Sequence, residues 1–371
     1  MPVRSARSAR RTAPQPGASE SQGGHSAEAT VDGRWLLLGS DGRLAAYARN
    51  REGVLRWTEE RPGGSAWAGP DFFPAPGLTH LFITQGADGY VHFVGRRSVE
   101  KPDGPPAVDL VHAIQYQSGR PLTAWRSLGN PHKDREKAAR LGAPAGAVDD
   151  AGTLYILVRN AGRGLMLRRE DKTGKWEAWR DLKGSMFQDA PAVTAAASGR
   201  IELLIPGEEG AGRWVQSEPH TVPERAENIP VAIVPGSAVA LETAPDRATY
   251  YWTDPESGSV VAHRPGGWVI PLGGSPGGPV TAMRAMLGDY DCTVLAHCDS
   301  EGHVMLAACG TENESAGLWW SPTGERGTGT PGLALDVYGR VVIAALAPDG
   351  SVRVARQNDE PGLAMGPSAR I

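Results

Sequence analysis

Short apolar or alternating runs recur along the chain, each opened by a turn residue: Gly42 to Arg49, Gly89 to Arg96, Gly152 to Arg159, Gly199 to Ile205 and Gly339 to Ile343, with weaker copies at Arg247 and Asp291. Runs of this length between Gly-rich breaks predict strands, not helices. Their starts repeat about every 48 residues, which is the signature of a repeat architecture. Each copy keeps one internal order. A small Ala/Val-rich strand comes first, as in Ala190 to Ala197 and Ser237 to Leu241. About a dozen residues after each start comes a further turn and strand, as in Glu52 to Trp57, Gly164 to Leu167, Gly258 to Val261 and Asp349 to Val354. A Trp-bearing strand closes the copy, as in Ala66-Trp67, Thr123 to Gly129, Trp176 to Leu182, Gly267 to Ile270 and Leu318 to Trp320. Four strands per copy and seven copies predict an all-β fold, a seven-bladed β-propeller with four antiparallel strands per blade spanning residues 31–371. Small residues in the first strand suit a crowded position near the axis.

Composition supports this reading. The 371 residues include 48 Gly and 30 Pro, which rule out long helices and supply turns, while 40% hydrophobic residues and 11 Trp can fill a large core. A net charge of −4 leaves no electrostatic footprint for general nucleic-acid binding. Arg4, Arg7, Arg10 and Arg11 stand apart, in a segment (1–30) with no apolar anchor, expected to be a disordered tail. No apolar segment follows Arg10-Arg11 as an export signal requires, and no stretch is long enough for a membrane span, so a cytoplasmic protein is expected. Cys292, Cys298 and Cys309 are too few for a disulfide framework. With a turn at Ser300-Glu301, Cys298 would face His303 and Cys309 would face Cys292; a thiol with its base, half a metal site and plain buried cysteines all fit that pattern, the last best, because no second His/Cys cluster adjoins.

Asp41 to Arg49, with its Asp-Gly-Arg-Leu start, and the Trp-x-x-Trp-x-x-Leu run Trp176 to Leu182 resemble the repeats of the PLL-type seven-bladed bacterial lectins, with tectonin repeats as a looser relation. The resemblance spans residues 32–360 and implies binding of fucose or related sugars in shallow pockets between blades. The Trp-x-x-Trp pair is complete only at Trp176 and Trp179, and several copies lack the Arg held at 49, 96 and 159. Aromatic and Arg side chains able to line such grooves are Tyr47, Arg49, Trp57, Arg96, Trp125, Tyr155, Arg159, Trp176 and Trp179. An indole can cover the C–H face of a sugar while Arg donates paired hydrogen bonds; packing between blades is the better reading of each Trp taken alone, and the set together points to blades one to three as the richest surface.

Two segments interrupt the repeat. Residues 97–108 lengthen the turn between the second and third strands of blade two, and residues 130–142 lengthen the passage to blade three. The latter predicts a helix capped by Asn130, with Pro131 at its first position and Gly142 at its end. Both turns should leave the same face, side by side, offering a lid or a surface for a protein partner. Gly273 to Gly277 matches nucleophile-elbow spacing and Gly327 to Gly332 a dinucleotide fingerprint, but neither lies between a strand and a helix, so no cofactor is implied. His80, His92, His112, His263, His297 and His303 fall on different strands, which suits satisfied strand histidines better than a metal site. Three readings follow: a non-catalytic lectin-like propeller binding carbohydrate or another small ligand between blades, a biosynthetic cyclase or lyase working at the channel mouth, and a protein-interaction scaffold. Blade seven would close through 362–368 or 24–31.

Overall fold

A computed structural model describes residues 29–371 apart from 172 and 189; most of the Arg-rich tail lies outside the described residues. Seven four-stranded antiparallel sheets follow one another along the chain. Blade one is β1 (Leu36–Leu38), β2 (Leu44–Arg49), β3 (Gly53–Glu59) and β4 (Trp67–Pro74); blade two is β5 (Leu78–Gln85), β6 (Val91–Lys101), β7 (Gly104–Gln115) and β8 (Arg126–Gly129). Blade three is β9 (Ala145–Val148), β10 (Leu154–Arg159), β11 (Leu165–Arg169) and β12 (Arg180–Lys183); blade four is β13 (Ala192–Ala195), β14 (Ile201–Ile205), β15 (Gly212–Val215) and β16 (Glu224–Arg225). Blade five is β17 (Val239–Ala244), β18 (Arg247–Thr253), β19 (Val260–His263) and β20 (Ile270–Gly273); blade six is β21 (Thr281–Leu287), β22 (Tyr290–Cys298), β23 (His303–Gly310) and β24 (Ser321–Arg326). Blade seven is β25 (Thr328–Leu335), β26 (Val341–Leu346), β27 (Val352–Arg356) and β28 (Ala369–Arg370). This is the seven-bladed propeller the repeat predicts.

The turns explain the period. Asp149, Asp171, Asp299 and Asp336 each accept the backbone N–H groups two and four residues on, and a glycine in between takes the left-handed conformation. The side chain satisfies donors that the reversal strips from the ladder. The first strands adjoin one another around the axis, β5 to β9 to β13 to β17 to β21 to β25 to β1, and Gln85 Nε2 donates to Leu38 O at 2.9 Å between blades two and one. They are the inner strands. Most of the tryptophans expected on the outer strands sit just before them, as Trp125, Trp176, Trp268 and Trp319 do.

A polar lock recurs at the end of the third strands. Glu59 Oε2 accepts Leu44 N at 2.9 Å, Gln216 Oε1 accepts Ile201 N at 2.6 Å, and Gln357 Oε1 accepts Val341 N at 3.1 Å. Each ties the start of the second strand to the end of the third. The ring closes between blades seven and one without strand exchange. Blade seven takes its outer strand from Ala369–Arg370, not from 362–368, and Thr30 forms a bridge to Arg49 on blade one. Trp35 Nε1 donates to Thr330 O at 2.7 Å across this seam, and Val342, Ala344, Leu346, Val352 and Val354 pack into the core of blade one.

The inserts lie side by side, as up-and-down geometry requires: Arg135 Nη2 donates to Pro105 O at 2.9 Å and Asn130 Nδ2 to Val108 O at 2.8 Å. Two details differ from expectation. Residues 97–108 mostly extend β6 and β7 instead of looping out, because their register continues as far as Lys101 opposite Gly104. The helix, α1 (Arg135–Ala139), is capped by Asp134, whose Oδ1 accepts Lys137 N at 2.9 Å; Asn130 is drawn away to Val108 and Ala138 carbonyls and to His132 N. Asp134→Ala is expected to cost about 1 kcal/mol, read as faster hydrogen exchange at the Lys137 amide.

The Cys/His hairpin also shifts by one residue. Asp299 N donates to His303 O and Asp299 Oδ1 accepts His303 N, so the turn takes an extra position and Cys298 pairs with Val304, Cys292 with Gly310 and Thr293 with Cys309. His303 Nδ1 lies 3.1 Å from Asp299 instead of facing a thiol. All three cysteines are buried and free, and burial pushes Cys298 up to about 11 and Cys309 up to about 12, so they are protonated packing groups.

Candidate functional site

A groove of about 320 Å³ opens between blades one and two, lined by Arg43, Arg56, Thr58, Glu59, Glu60, Ala68, Asp71 and Gly119. It faces the side of the ring that carries the first-to-second and third-to-fourth connections, opposite the inserts. Its base is set by β3, where Arg56 pairs with Tyr47 on one side and Asp71 on the other. Alternation puts Thr58 on the face of Arg56 and sends Trp57 to the core. Between Arg56 and Thr58 the register with β4 slips, leaving Gly69 and Pro70 unpaired. Gly69 sits at a φ of 127° where a Cβ would run into the Arg56 carbonyl, so the bulge needs glycine.

The Arg56 side chain is 4% exposed and fully engaged. Its Nε and Nη2 donate to Asp71 Oδ2 at 3.1 and 2.5 Å, Nη1 donates to Arg120 O at 2.5 Å, and Nη2 reaches Gly119 O at 3.3 Å. Phe73 covers the guanidinium at 4.9 Å. One arginine therefore joins the two blades and orients Asp71, which is 56% exposed at the mouth. Arg43 on the rim donates from Nε to Asp41 Oδ2 at 2.6 Å. Burial pushes the Asp41 carboxyl up, but hydrogen bonds from Arg43 and Ser118 outweigh it and hold the group below the usual carboxylate range. The Thr58 hydroxyl is buried with no hydrogen-bond partner. The Arg43 guanidinium and the Glu60 and Asp71 carboxylates thus meet at one opening, with the Thr58 hydroxyl buried in its wall, a set suited to adjacent hydroxyl groups of a polyol.

None of the nine side chains selected from the sequence lines this groove. Tyr47 is buried beneath it, its hydroxyl donating to Gln115 Oε1, and Trp57 and Tyr155 are core residues. Arg49 pairs with Asp32 at 3.1 Å. Arg96 holds the helical insert, donating to Leu141 O at 2.8 Å and Ala139 O at 2.9 Å, and Arg159 Nη1 reaches Asn160 O at 3.5 Å. Trp125 packs against the core of blade one. Trp176 and Trp179 flank the Arg168 guanidinium at 5.8 and 5.6 Å, and Trp176 meets His112 edge-on at 5.4 Å, which makes them an interface cluster between blades two and three. The groove residues themselves carried a legible sign: an Arg near the end of the third strand in alternate blades, Arg56, Arg169, Arg264 and Arg356.

Asp149, Asp150 and His220 form the group, among the described residues, whose ligand-type atoms lie close enough to share a cation, within 4.8 Å of one another. Two of them already bond each other, His220 Nδ1 standing 2.9 Å from Asp149 Oδ2.

No protein-family model matches the chain, and no curated protein matches it. Solved structures do. The BP39L lectin of Burkholderia pseudomallei superposes with a TM-score of 0.68 at 13% identity, covering 90% of this chain and 96% of that one. An ulvan lyase, a polysaccharide lyase, gives a TM-score of 0.54 at 10% identity over 91% and 96%. The Aleuria aurantia lectin, in complex with Fucα1-6GlcNAc, gives 0.50 at 12% identity over 78% and 94%. At these identities the shared property is the fold.

Proposed function

We propose that the protein is a lectin-like propeller of the PLL type that binds carbohydrate in the groove between blades one and two. The observation that carries this reading is Thr58, a residue 6% exposed in the groove wall whose buried hydroxyl has no partner within the protein, beside the Arg56–Asp71 and Arg43–Asp41 pairs. A buried hydroxyl without a partner is unfavourable by about 1–3 kcal/mol, and a ligand hydroxyl at this wall would satisfy it. Lectins and a polysaccharide lyase among the proteins of similar fold support the class of ligand.

A glycan array containing Fucα1-6GlcNAc, followed by calorimetry on the wild type and Thr58→Val, tests the proposal. Valine keeps the volume and removes the orphan oxygen, so the melting temperature should hold or rise. Affinity should fall about tenfold, the equivalent of about 1.4 kcal/mol. A wild type that binds no glycan, or a valine variant that binds as the wild type does, overturns the proposal.

A further inference from the structure

The exposed apolar side chains are spread unevenly over the ring. Among the described residues eleven large ones are exposed, and nine of these stand on the face that carries the first-to-second and third-to-fourth connections; Val99 and Met186 are the two on the face of the inserts. Tyr90 and Tyr116 of blade two meet each other edge-on at 5.0 Å. The other seven fall on three consecutive blades: Trp268 and Val269 on blade five, Met286, Tyr290 and Trp319 on blade six, Val337 and Tyr338 on blade seven. Trp268 and Trp319 are 90% and 83% exposed, Tyr290 and Tyr338 76% and 70%. A single exposed apolar residue needs no explanation, whereas a group of them on one face of a folded chain marks a surface that another body covers.

The backbone beneath these residues is fixed. β21 and β22 pair up to the tip of their hairpin, Met286 opposite Asp291 and Leu287 opposite Tyr290, and Gly288 takes the left-handed conformation that a two-residue turn requires. Val337 and Tyr338 sit in the Asp336 turn, whose carboxylate accepts Tyr338 N at 2.9 Å and Arg340 N at 3.0 Å. Trp319 precedes Trp320, whose Nε1 donates to Leu272 O of blade five at 2.9 Å. Little ordering is therefore left to oppose association.

Charge, composition and area together choose the occupant. Arg247, Arg264, Arg284 and Arg340, in and beside these loops, pair with Glu312, Glu314, Asp291 and Asp336 of the same chain. None of those four is left to hold an anionic headgroup, and a face whose charges are closed in pairs can meet its own copy without like-charge repulsion. The sequence contains no lysine after Lys183, and lysine is depleted from protein interfaces while Trp, Tyr and Met are enriched in them. A Trp or Tyr covers roughly 150–250 Å² when enclosed, so the two tryptophans and two tyrosines offer on the order of 600 Å², and the whole group approaches the roughly 800 Å² that each partner gives to a standard interface.

We infer that the loops of blades five to seven on this face form a docking surface for a second copy of the chain, joined to the first across a two-fold axis.

Sedimentation velocity of the full chain over about a hundredfold range of concentration tests it, and the melting temperature of a dimer should rise across the same range by mass action. Trp268→Glu with Tyr290→Glu brings carboxylates from both copies into the contact and should raise the dimer dissociation constant at least about thirtyfold, as loss of a central aromatic anchor does. Both positions are exposed, so the circular dichroism of the variant should match that of the wild type. Should this variant fail to fold, Trp319→Gln takes its place. Met186→Glu, on the opposite face, should leave the constant unchanged. A wild type that stays monomeric throughout overturns the inference, and flotation of that monomer with phosphatidylcholine vesicles would assign the face to a lipid surface instead. A dimer that survives a folded variant undiminished overturns the assignment of this face.

Discussion

Glu59→Ala is expected to lower the stability of the ring by about 3–5 kcal/mol, the range for removing one member of a buried ion pair. The Glu59 side chain is fully buried and bonds in three directions: to Leu44 N at 2.9 Å within its blade, to Gly63 N at 3.2 Å in the next connection, and to Arg356 of blade seven. It is the point at which the last blade meets the first. Truncation strands Arg356, only 16% exposed, with Asp336 Oδ2 at 3.9 Å as its remaining carboxylate. It also frees two backbone donors. The exposed control Glu256→Ala should stay within about 0.5 kcal/mol of the wild type. Urea unfolding of Glu59→Ala, Arg356→Ala, the control and the Glu59→Ala with Arg356→Ala double variant provides the check, and the double variant should lose less than the sum of its two singles. A loss below about 1 kcal/mol for Glu59→Ala would show that apolar packing by Trp35 and its neighbours closes the seam unaided.

The same residue shows what the sequence allows a reader to see. Glycines at turn positions and apolar runs recur with a period, so blade number, strand order and the adjacency of the inserts all follow from pattern. Hydrophobic periodicity reports which residues are buried. It does not report which buried polar group meets which, because those partners belong to different blades: Glu59 and Arg356 are almost the whole chain apart. The hairpin at Asp299 makes the point locally. An aspartate that bonds two backbone N–H groups lengthens the turn by one position, and that single step turned a Cys298 and His303 pairing into a His303 and Asp299 pairing.

The groove and the nine side chains selected from the sequence do not coincide for a related reason. An indole or phenol between two blades is the largest available packing unit as well as a ligand platform, and Tyr47, Trp57 and Tyr155 are buried in the core. The groove depends instead on Gly119, a residue defined by lacking a side chain, and on a bulge at Gly69 that no periodicity signals. Legible in the sequence is the recurrence of an arginine in or just after the third strand of alternate blades, but the register sets Arg169 and Arg356 where blade one has Thr58, so Arg56 stands apart from them.

Acid should weaken the fold well before the carboxylates titrate. His92 and His112 are both buried between blades two and three, their rings stacked at 5.4 Å with Nδ1 of the first 3.1 Å from Nε2 of the second. Burial pulls His92 down to about 4, and burial with the neighbouring imidazole and Arg126 pulls His112 down to about 3. Above the ordinary histidine value near 6.5 both states are neutral and the full stability is present. As the pH falls below it, the unfolded chain takes up protons that the folded chain refuses, so stability declines by roughly 1.4 kcal/mol per pH unit for each imidazole until the folded values are reached. Burial also lowers His263 and His297, which act in the same direction. Carboxylates held low by their partners, such as Asp291 beside Arg284 and Glu312 beside Arg247, lose their contribution only at lower pH, so the interval from 6.5 to 5 belongs to the imidazoles. Urea unfolding at pH 7, 6 and 5 should show ΔG falling across that interval at a constant m-value. His112→Phe, which keeps an aromatic ring against Trp176, should remove about one proton from the slope. Equal stability at pH 7 and pH 5 in the wild type would mean that the pair is hydrated or already open, and that Trp176 and Trp179 do not seal the blade interface.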